Sequence, residues 1–130
     1  MYRIETLEGR FSVCKVEDYS GIDLNQPYLF SGKTDMENSL VCLTECVPKK
    51  TLEREDGWRG FRIAGQLDFS LIGVLAHITK ILAEYEIGVF VISTFDTDYV
   101  FVKEENQERA LNALRHAGYS IGDIHSKRNR

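Results

Sequence analysis

The chain has 130 residues, of which 43% are hydrophobic and 28% charged, and its formal net charge is −4. These values are ordinary for a globular protein, and the length suits one compact domain or two half-size subdomains. An acidic body argues against nucleic acid as the main partner, because contacts to phosphate need clustered positive charge. Lys127, Arg128 and Arg130 add only a short basic end, which we expect to be solvated.

No apolar run approaches the roughly 18 residues that a membrane-spanning helix needs, and no signal peptide opens the chain. We therefore expect a cytoplasmic protein without a membrane partner. The three cysteines leave an odd thiol, and on one straight strand Cys42 and Cys46 would lie about 13 Å apart. Because that distance suits neither a disulfide nor a metal pair, we expect Cys14, Cys42 and Cys46 to be reduced, with no metal and no cofactor.

The first half of the chain is rich in strand patterns and poor in helix patterns. Four strands are predicted, over residues 1–7 (at the edge of a sheet), 11–16, 27–33 and 39–47. The strongly charged residues 48–57 are interpreted as a linker between two halves. No helix is predicted before residue 70.

The second half alternates strands with amphipathic helices. After a strand over 58–67, Ser70 is a good N-cap residue, and apolar residues then recur with a period of 3.6. This stripe predicts a helix that starts at Leu71, with Leu82 facing a sheet and Lys80 facing solvent. The remaining predicted elements are a central strand over 87–94, a turn at 95–98, a strand over 99–102, a helix over 106–117 closed by Gly118, and a strand from Tyr119.

Residues 58–124 therefore follow the order β-α-β-β-α-β, the ferredoxin-like arrangement. We predict an α+β fold in which this domain covers residues 57–124. A degenerate, mostly β half precedes it over residues 1–56, and a flexible basic tail follows over residues 125–130.

Two motifs in the second half point to a known family. One covers residues 65–76 (GQLDFSLIGVLA), and the other covers residues 92–99 (ISTFDTDY). With them the chain resembles the aspartokinase-like ACT proteins of bacteria, short stand-alone proteins related to the CASTOR arginine sensors of animals. The resemblance extends over nearly the whole chain. It implies an ACT fold in the second half, preceded by a degenerate ACT-like half.

The resemblance also implies a regulatory module that binds a small molecule, and the ligand we expect is an amino acid. The sequence holds neither a phosphate-binding glycine loop nor a catalytic constellation, so we expect no enzymatic activity. The chain departs from the family at Tyr85 and Glu86, where ACT helices typically end in Ala-Gly. Since a glutamate in the left-handed region costs about 1–2 kcal/mol, we expect this helix to end differently.

The predicted ligand-binding residues are Asp68, Phe69, Ser70, Leu71, Ile72, Gly73, Thr94, Phe95 and Asp98. Unpaired N–H groups and the dipole of a helix N-terminus attract a carboxylate, which makes the stretch 68–73 a candidate carboxylate site. By the resemblance, Asp98 would hold an ammonium or guanidinium group, as the matching aspartate does in the arginine sensors. The alternative roles are structural. Ser70 would then only cap the helix and Gly73 only allow close packing. Asp98, like Asp96, would only serve the turn.

Two other functions are weighed against the sensor. An enzyme is disfavoured, because His77, His116 and His125 are scattered and none is paired by motif with a nucleophile. The alternative to the sensor is a ligand-free module that uses the ACT sheet only for protein–protein assembly. In both cases we expect a homodimer, because exposed strand edges and a wide apolar helix face need covering. The enzyme that such a sensor would regulate is not identified by the sequence.

Overall fold

The structure of the protein is a computed structural model that describes residues 3–64 and 73–124. The fold is α+β, as predicted. In chain order the elements are β1 (Arg3–Thr6), β2 (Phe11–Val16), β3 (Phe30–Lys33), β4 (Asn38–Leu43), β5 (Glu53–Ile63), α1 (Val74–Glu84), β6 (Val89–Ser93), β7 (Asp98–Lys103), α2 (Gln107–His116) and β8 (Ser120–Asp123). Short 3-10 turns follow β4 and β7, at Thr44–Cys46 and Glu104–Asn106.

The chain divides into two units at a point within β5. Residues 9–58 form what we call the N-terminal unit, and residues 1–8 together with 59–130 form the C-terminal unit. This division assigns the first eight residues to the C-terminal unit. The domain limits drawn from the sequence, 1–56 and 57–124, stay a prediction.

β1 is an interior strand of the C-terminal unit, so the prediction of an edge strand is wrong. On one side it pairs antiparallel with β5, with Ile4 opposite Ile63, and on the other it pairs parallel with β8, with Ile4 opposite Ile121. Glu5, one of the polar residues that alternate with apolar ones along β1, is only 1% exposed. A period of two shows which side chains share a face but not which strands lie alongside.

The C-terminal unit has the predicted β-α-β-β-α-β order, formed by β5, α1, β6, β7, α2 and β8. β6 pairs with β7, β7 pairs with β5, and β1 stands between β5 and β8. Apolar side chains of the sheet and of both helices form one core. Its buried members include Ile4, Phe61, Ile63, Ile78, Leu82, Val100, Val102, Ala110 and Leu114.

The N-terminal unit has a corresponding strand order without the helices. Its strands lie in the order β3-β4-β2-β5, and those of the C-terminal unit lie in the order β6-β7-β5, with β1 between β5 and β8. Residues 17–29 and 47–52, which follow β2 and the first 3-10 turn, contain no α-helix. Tyr19, Ile22 and Val47 from these segments pack on a small core. This core consists of Cys14, Val16, Leu40 and Cys42.

The charged stretch 48–57 is not a linker throughout, because β5 begins at Glu53. The side chains of residues 53–56 are exposed, yet their strand pairs with β2, with Glu53 opposite Lys15. Pairing of the backbone does not require apolar side chains. Because these side chains are charged, a prediction based on hydrophobicity missed the strand.

The first helix starts later than predicted. It begins at Val74, and Gly73 is its N-cap with a φ of 98°, in the left-handed region. A helix that already runs at Leu71 is incompatible with this conformation, so that predicted start is wrong. Ser70, the predicted N-cap, lies outside the described residues.

The first helix ends in the way that the family pattern suggests, although no glycine is present. Glu86 takes a φ of 58°, and the Ile87 N–H donates to the Leu82 carbonyl at 2.9 Å. This is the Schellman motif, which glycine most often completes. The expectation of a different ending is therefore wrong. α2 ends in the predicted manner at Gly118, whose φ is 104°.

The left-handed conformation of Glu86 predicts that Glu86→Gly will stabilise the protein by about 1 kcal/mol, because glycine removes the steric cost of the β carbon. Chemical denaturation measures the change in unfolding free energy. Glu86→Ala is the control, since it removes the carboxylate but keeps the β carbon, and it should bring no such gain. Equal stabilities for the glycine and alanine variants would show that the position is not strained.

The opposite faces of α1 generate a second prediction. Leu82 is fully buried in the core and Lys80 is exposed. Leu82→Ala should therefore lower the unfolding free energy by about 2–5 kcal/mol, because it leaves a cavity. Lys80→Ala should change it by less than about 0.5 kcal/mol. Similar losses for the two variants in chemical denaturation would contradict this assignment of the helix faces.

Candidate functional site

The predicted ligand-binding residues fall into two groups. Asp68, Phe69, Ser70, Leu71 and Ile72 lie outside the described residues. Gly73, at the start of α1, and Thr94, Phe95 and Asp98, on the β6–β7 hairpin, are described. The structure thus shows one end of the predicted carboxylate site and the whole of the hairpin that was predicted to bind the amine.

The N-terminus of α1 has the local features of a carboxylate site. The Gly73 carbonyl accepts the first helical hydrogen bond, from the His77 N–H at 2.8 Å. The N–H groups of the first turn have no partner within a helix, and this turn contains no acidic side chain. Among the described residues, no atom lies within 4 Å of the place that a β carbon on Gly73 would take. The φ of 98° is a conformation that favours glycine, so Gly73 has a backbone role at this helix start.

The turn of the β6–β7 hairpin is held by its threonines. The Thr94 N–H donates to the Thr97 carbonyl at 2.9 Å, and the Thr94 hydroxyl donates to the same carbonyl at 3.0 Å. Phe95 stands at the tip with 95% of its surface exposed. The Thr97 hydroxyl donates to the Ile63 carbonyl at 2.7 Å and so ties the turn to the end of β5.

Asp98 has a local partner that was not foreseen. It is the first residue of β7 and pairs with Ser93, the last residue of β6. The Ser93 hydroxyl donates to Asp98 Oδ1 at 2.5 Å. One carboxylate oxygen therefore has a structural role, and the bond orients the group. The antiparallel register around a four-residue turn is the signal that could have identified Ser93.

A buried ion pair lies on β1 and β5, beside the strand that carries Asp98. Arg62 donates from Nε to Glu5 Oε1 at 3.0 Å and from a terminal nitrogen to the Tyr99 hydroxyl at 3.3 Å. Glu5 is 1% exposed, so this pair ties a buried carboxyl group of β1 to β5. Sequence analysis missed this pair because it placed β1 at an edge.

A cavity of about 720 Å³ lies in the N-terminal unit, between residues 17–26 and 45–50. These segments occupy chain positions at which the C-terminal unit has its helices. Of the predicted ligand-binding residues that the structure describes, Gly73, Thr94, Phe95 and Asp98, none lines the cavity. The cavity is therefore not evidence for the predicted site.

The described residues, 3–64 and 73–124, include His, Cys, Asp and Glu side chains and two α-helices. In these ranges no group of three or more His, Cys, Asp and Glu side chains is placed to hold a metal ion. Across the same ranges, neither helix is long and apolar enough to span a membrane.

The three thiols lie in the N-terminal unit and are free. Cys14 and Cys42 are buried in its core, whereas Cys46 is partly exposed. The distance predicted for Cys42 and Cys46 assumed a straight strand and is unfounded, because β4 ends at Leu43. Burial, together with the neighbouring thiols, raises the pKa of Cys42 to about 12, and burial also raises the pKa of Cys14. Neither buried thiol will be a thiolate near neutral pH.

The β-α-β-β-α-β order of the C-terminal unit defines the ferredoxin-like class of α+β domains. Within this class, residues 53–116 match the model of the ACT domain family. The resemblance of the chain to aspartokinase-like ACT proteins is thereby confirmed.

Solved structures resemble the chain over most of its length. Protein Atu0741 from Agobacterium tumefaciens is 27% identical, with a TM-score of 0.84 over 95% of this chain and 94% of that chain. The ligand-free regulatory subunit of aspartate kinase from Thermus thermophilus is 10% identical, with a TM-score of 0.62 over 91% and 97%. Aspartate kinase from Clostridium acetobutylicum is 14% identical, with a TM-score of 0.60 over 89% of this chain and 34% of that chain. The two likenesses to aspartate kinase show a shared fold.

Burial and pKa predict which thiol will react first. Iodoacetamide at neutral pH should modify Cys46 in the folded protein, while Cys14 and Cys42 react only after unfolding, because alkylation needs an accessible thiolate. Intact-mass spectrometry should then show one adduct for the folded protein and three in denaturant. Rapid addition of three groups to the folded protein would contradict the packing of this core.

Proposed function

We propose that the protein is a cytoplasmic sensor or regulatory subunit that binds an amino acid through its ACT domain and has no catalytic activity of its own. The observation that carries this proposal is the ACT domain over residues 53–116, which includes every residue of the predicted ligand site. ACT domains are regulatory modules, and this supports a ligand-binding regulatory role.

The structural neighbours include a separate regulatory subunit and a complete aspartate kinase. The chain covers 97% of the regulatory subunit of aspartate kinase from Thermus thermophilus but only 34% of the aspartate kinase from Clostridium acetobutylicum. It therefore spans about a third of the complete enzyme and nearly all of a separate regulatory subunit. We propose that it acts on a partner enzyme. We also propose that it works as a homodimer, because the exposed edges of an ACT sheet need covering.

The proposed site pairs two complementary charges with the two ends of an amino acid. The carboxylate would lie at the start of α1, where the first-turn N–H groups and the dipole favour an anion. The ammonium, or the guanidinium of an arginine, would lie at Asp98. The stretch 68–73 would supply the remaining contacts of the carboxylate, and Thr94 and Phe95 would border the site from the hairpin.

A ligand-free assembly module is the second candidate, and two observations favour it. Phe95 is 95% exposed and Met36 is 83% exposed, at the tips of the β6–β7 and β3–β4 hairpins. Exposed large apolar side chains are common in protein–protein contacts. In addition, the bond from Ser93 gives Asp98 a structural reason to be present.

The two candidates differ in their expected response to amino acids. A thermal-shift screen against the twenty amino acids should show at least one that stabilises the wild-type protein. A ligand at 100 times its Kd adds about 2.7 kcal/mol to the unfolding free energy. A wild-type protein that responds to none of them would favour the assembly module.

Asp98→Asn then tests the site. This change keeps an acceptor for the Ser93 hydroxyl but removes the charge, so the fold should persist while binding weakens by about 2–5 kcal/mol. Calorimetry with the amino acid selected in the screen measures the loss. Asp96→Asn is the matched control, since Asp96 is an exposed aspartate of the same turn that we do not place in the site. An unchanged Kd for Asp98→Asn would remove Asp98 from the site.

A further inference from the structure

The cavity of about 720 Å³ in the N-terminal unit has the size of a small-molecule site. Pockets that bind small ligands usually enclose roughly 300–1,000 Å³. One wall is formed by residues 17–26, which follow β2, and the other by residues 45–50, at and after the first 3-10 turn. The walls approach each other closely at one point, since a β carbon on Gly21 would lie 3.8 Å from Cβ of Pro48. Both walls belong to one unit, so the cavity lies entirely within it.

Both walls of the cavity are anchored to the sheet of the N-terminal unit. On the first wall, Tyr19 and Ile22 pack on the small core, and the Tyr19 hydroxyl donates to the Ser39 carbonyl at 2.9 Å. On the second wall, Cys46 and Val47 pack on the same core. Because packing already fixes the walls, a ligand would have to order little of the chain on binding.

A hydrogen-bond acceptor in the lining of the cavity lacks a donor. Gln26 lines the cavity, and its Nε2 donates to the Asp23 carbonyl at 2.8 Å. Because a carbonyl can only accept, this bond shows which end of the amide is the nitrogen. The other end, Oε1, is buried and has no hydrogen-bond partner among the described residues. Buried acceptors in proteins are nearly always paired, so a ligand that brings a donor suits this place.

The charges of the lining favour a cation. Four carboxylates but only two ammonium groups line the cavity, and they belong to Glu17, Asp18, Asp23, Glu45, Lys49 and Lys50. All six residues are exposed and form the rim. Cys46, Val47 and Pro48 also line the cavity, are partly buried and offer a less polar surface. A short apolar chain with an ammonium group matches the excess of carboxylates, the open acceptor and this surface together.

We propose that this cavity is a second ligand-binding site, which takes a small aliphatic amine in its ammonium form. The ammonium group donates to Gln26 Oε1 and lies among the carboxylates, while the chain packs on Val47 and Pro48. An anion would meet the carboxylates and bring no donor. The lining residues all precede residue 53, where the match to the ACT domain family begins. This inference therefore goes beyond the proposed function and does not depend on it.

Three probes with the same four-carbon chain test the proposal. Putrescine is a diamine and a dication at neutral pH, succinate is a dianion, and the corresponding diol is uncharged. In an NMR titration of isotope-labelled protein at matched ionic strength, putrescine should cause saturable shifts at the amides of residues 17–26 and 45–50. Its Kd should be about tenfold lower than that of the diol or of succinate, because exposed ion pairs each contribute modestly.

The thiol of Cys46 gives an independent readout, because it is partly exposed and lines the cavity. Saturating putrescine should slow the alkylation of Cys46 by iodoacetamide in the folded protein, since the bound chain covers the thiol. Succinate at the same concentration should not slow it. In denaturant, putrescine should leave the alkylation rate unchanged, which controls for a reaction between the probe and the reagent.

Variants of the lining locate the bound amine. Gln26→Leu removes the buried acceptor and should raise the Kd of putrescine about tenfold, the usual effect of one lost hydrogen bond. The double variant Glu17→Gln, Glu45→Gln removes two charges of the rim and should raise the Kd about fivefold. The matched control is Glu37→Gln, Glu53→Gln. It changes the net charge equally, at exposed glutamates of the same unit outside the lining, and should leave the Kd unchanged.

Saturable binding of putrescine at the cavity, weakened by the lining variants and not by the control pair, supports the proposal. Tighter binding of succinate overturns it, because the two lysines would then govern the site. Equal losses in the lining and control variants also overturn it, since only overall charge would matter. So does a titration in which putrescine causes no saturable shift. Thermal denaturation shows whether each variant is folded, and the double variant decides if Gln26→Leu is not.

Discussion

The pairing of β1 on both of its sides is the constraint on which the C-terminal unit depends. Within the described part of the chain, β8 pairs only with β1, and β1 also continues the sheet from β5. The Glu5–Arg62 ion pair joins the same two strands, so removal of β1 would leave Arg62 without this counterion. A strand of four residues near the start of the chain thus completes a unit whose other elements come from the second half of β5 onwards.

The order of the elements could be predicted from the sequence because each leaves a periodic pattern. The 3.6-residue stripe of α1 placed Leu82 in the core and Lys80 outside it, and the structure agrees. Features that depend on pairing or on backbone conformation could not be predicted in this way. The interior position of β1 is one such feature, and the left-handed Gly73 that delays the start of α1 is another. Both are set by contacts with residues distant in sequence or by a single dihedral angle.

In the candidate site too, sequence patterns predicted the secondary structure but not the individual hydrogen bonds. The motif over residues 92–99 identified the hairpin and its aspartate. It gave no indication that Ser93 bonds to Asp98 or that Thr97 bonds to Ile63, because neither bond has a periodic signature. In the N-terminal unit, strand patterns likewise predicted the strands, but no sequence pattern indicated the cavity beside residues 17–26.

The hydrogen bond from Ser93 bears on how Asp98 could discriminate among ligands. A carboxylate has two oxygens with about four acceptor sites, so an ammonium or guanidinium could bind without displacing the serine hydroxyl. The bond holds the group in one orientation before any ligand arrives, which lowers the cost of ordering it on binding. Asp98 is only partly buried, so a cationic partner could reach the carboxylate from solvent. A structural bond and the proposed binding role are therefore compatible in one side chain, because the proposed cation would use acceptor sites of the carboxylate that Ser93 leaves open.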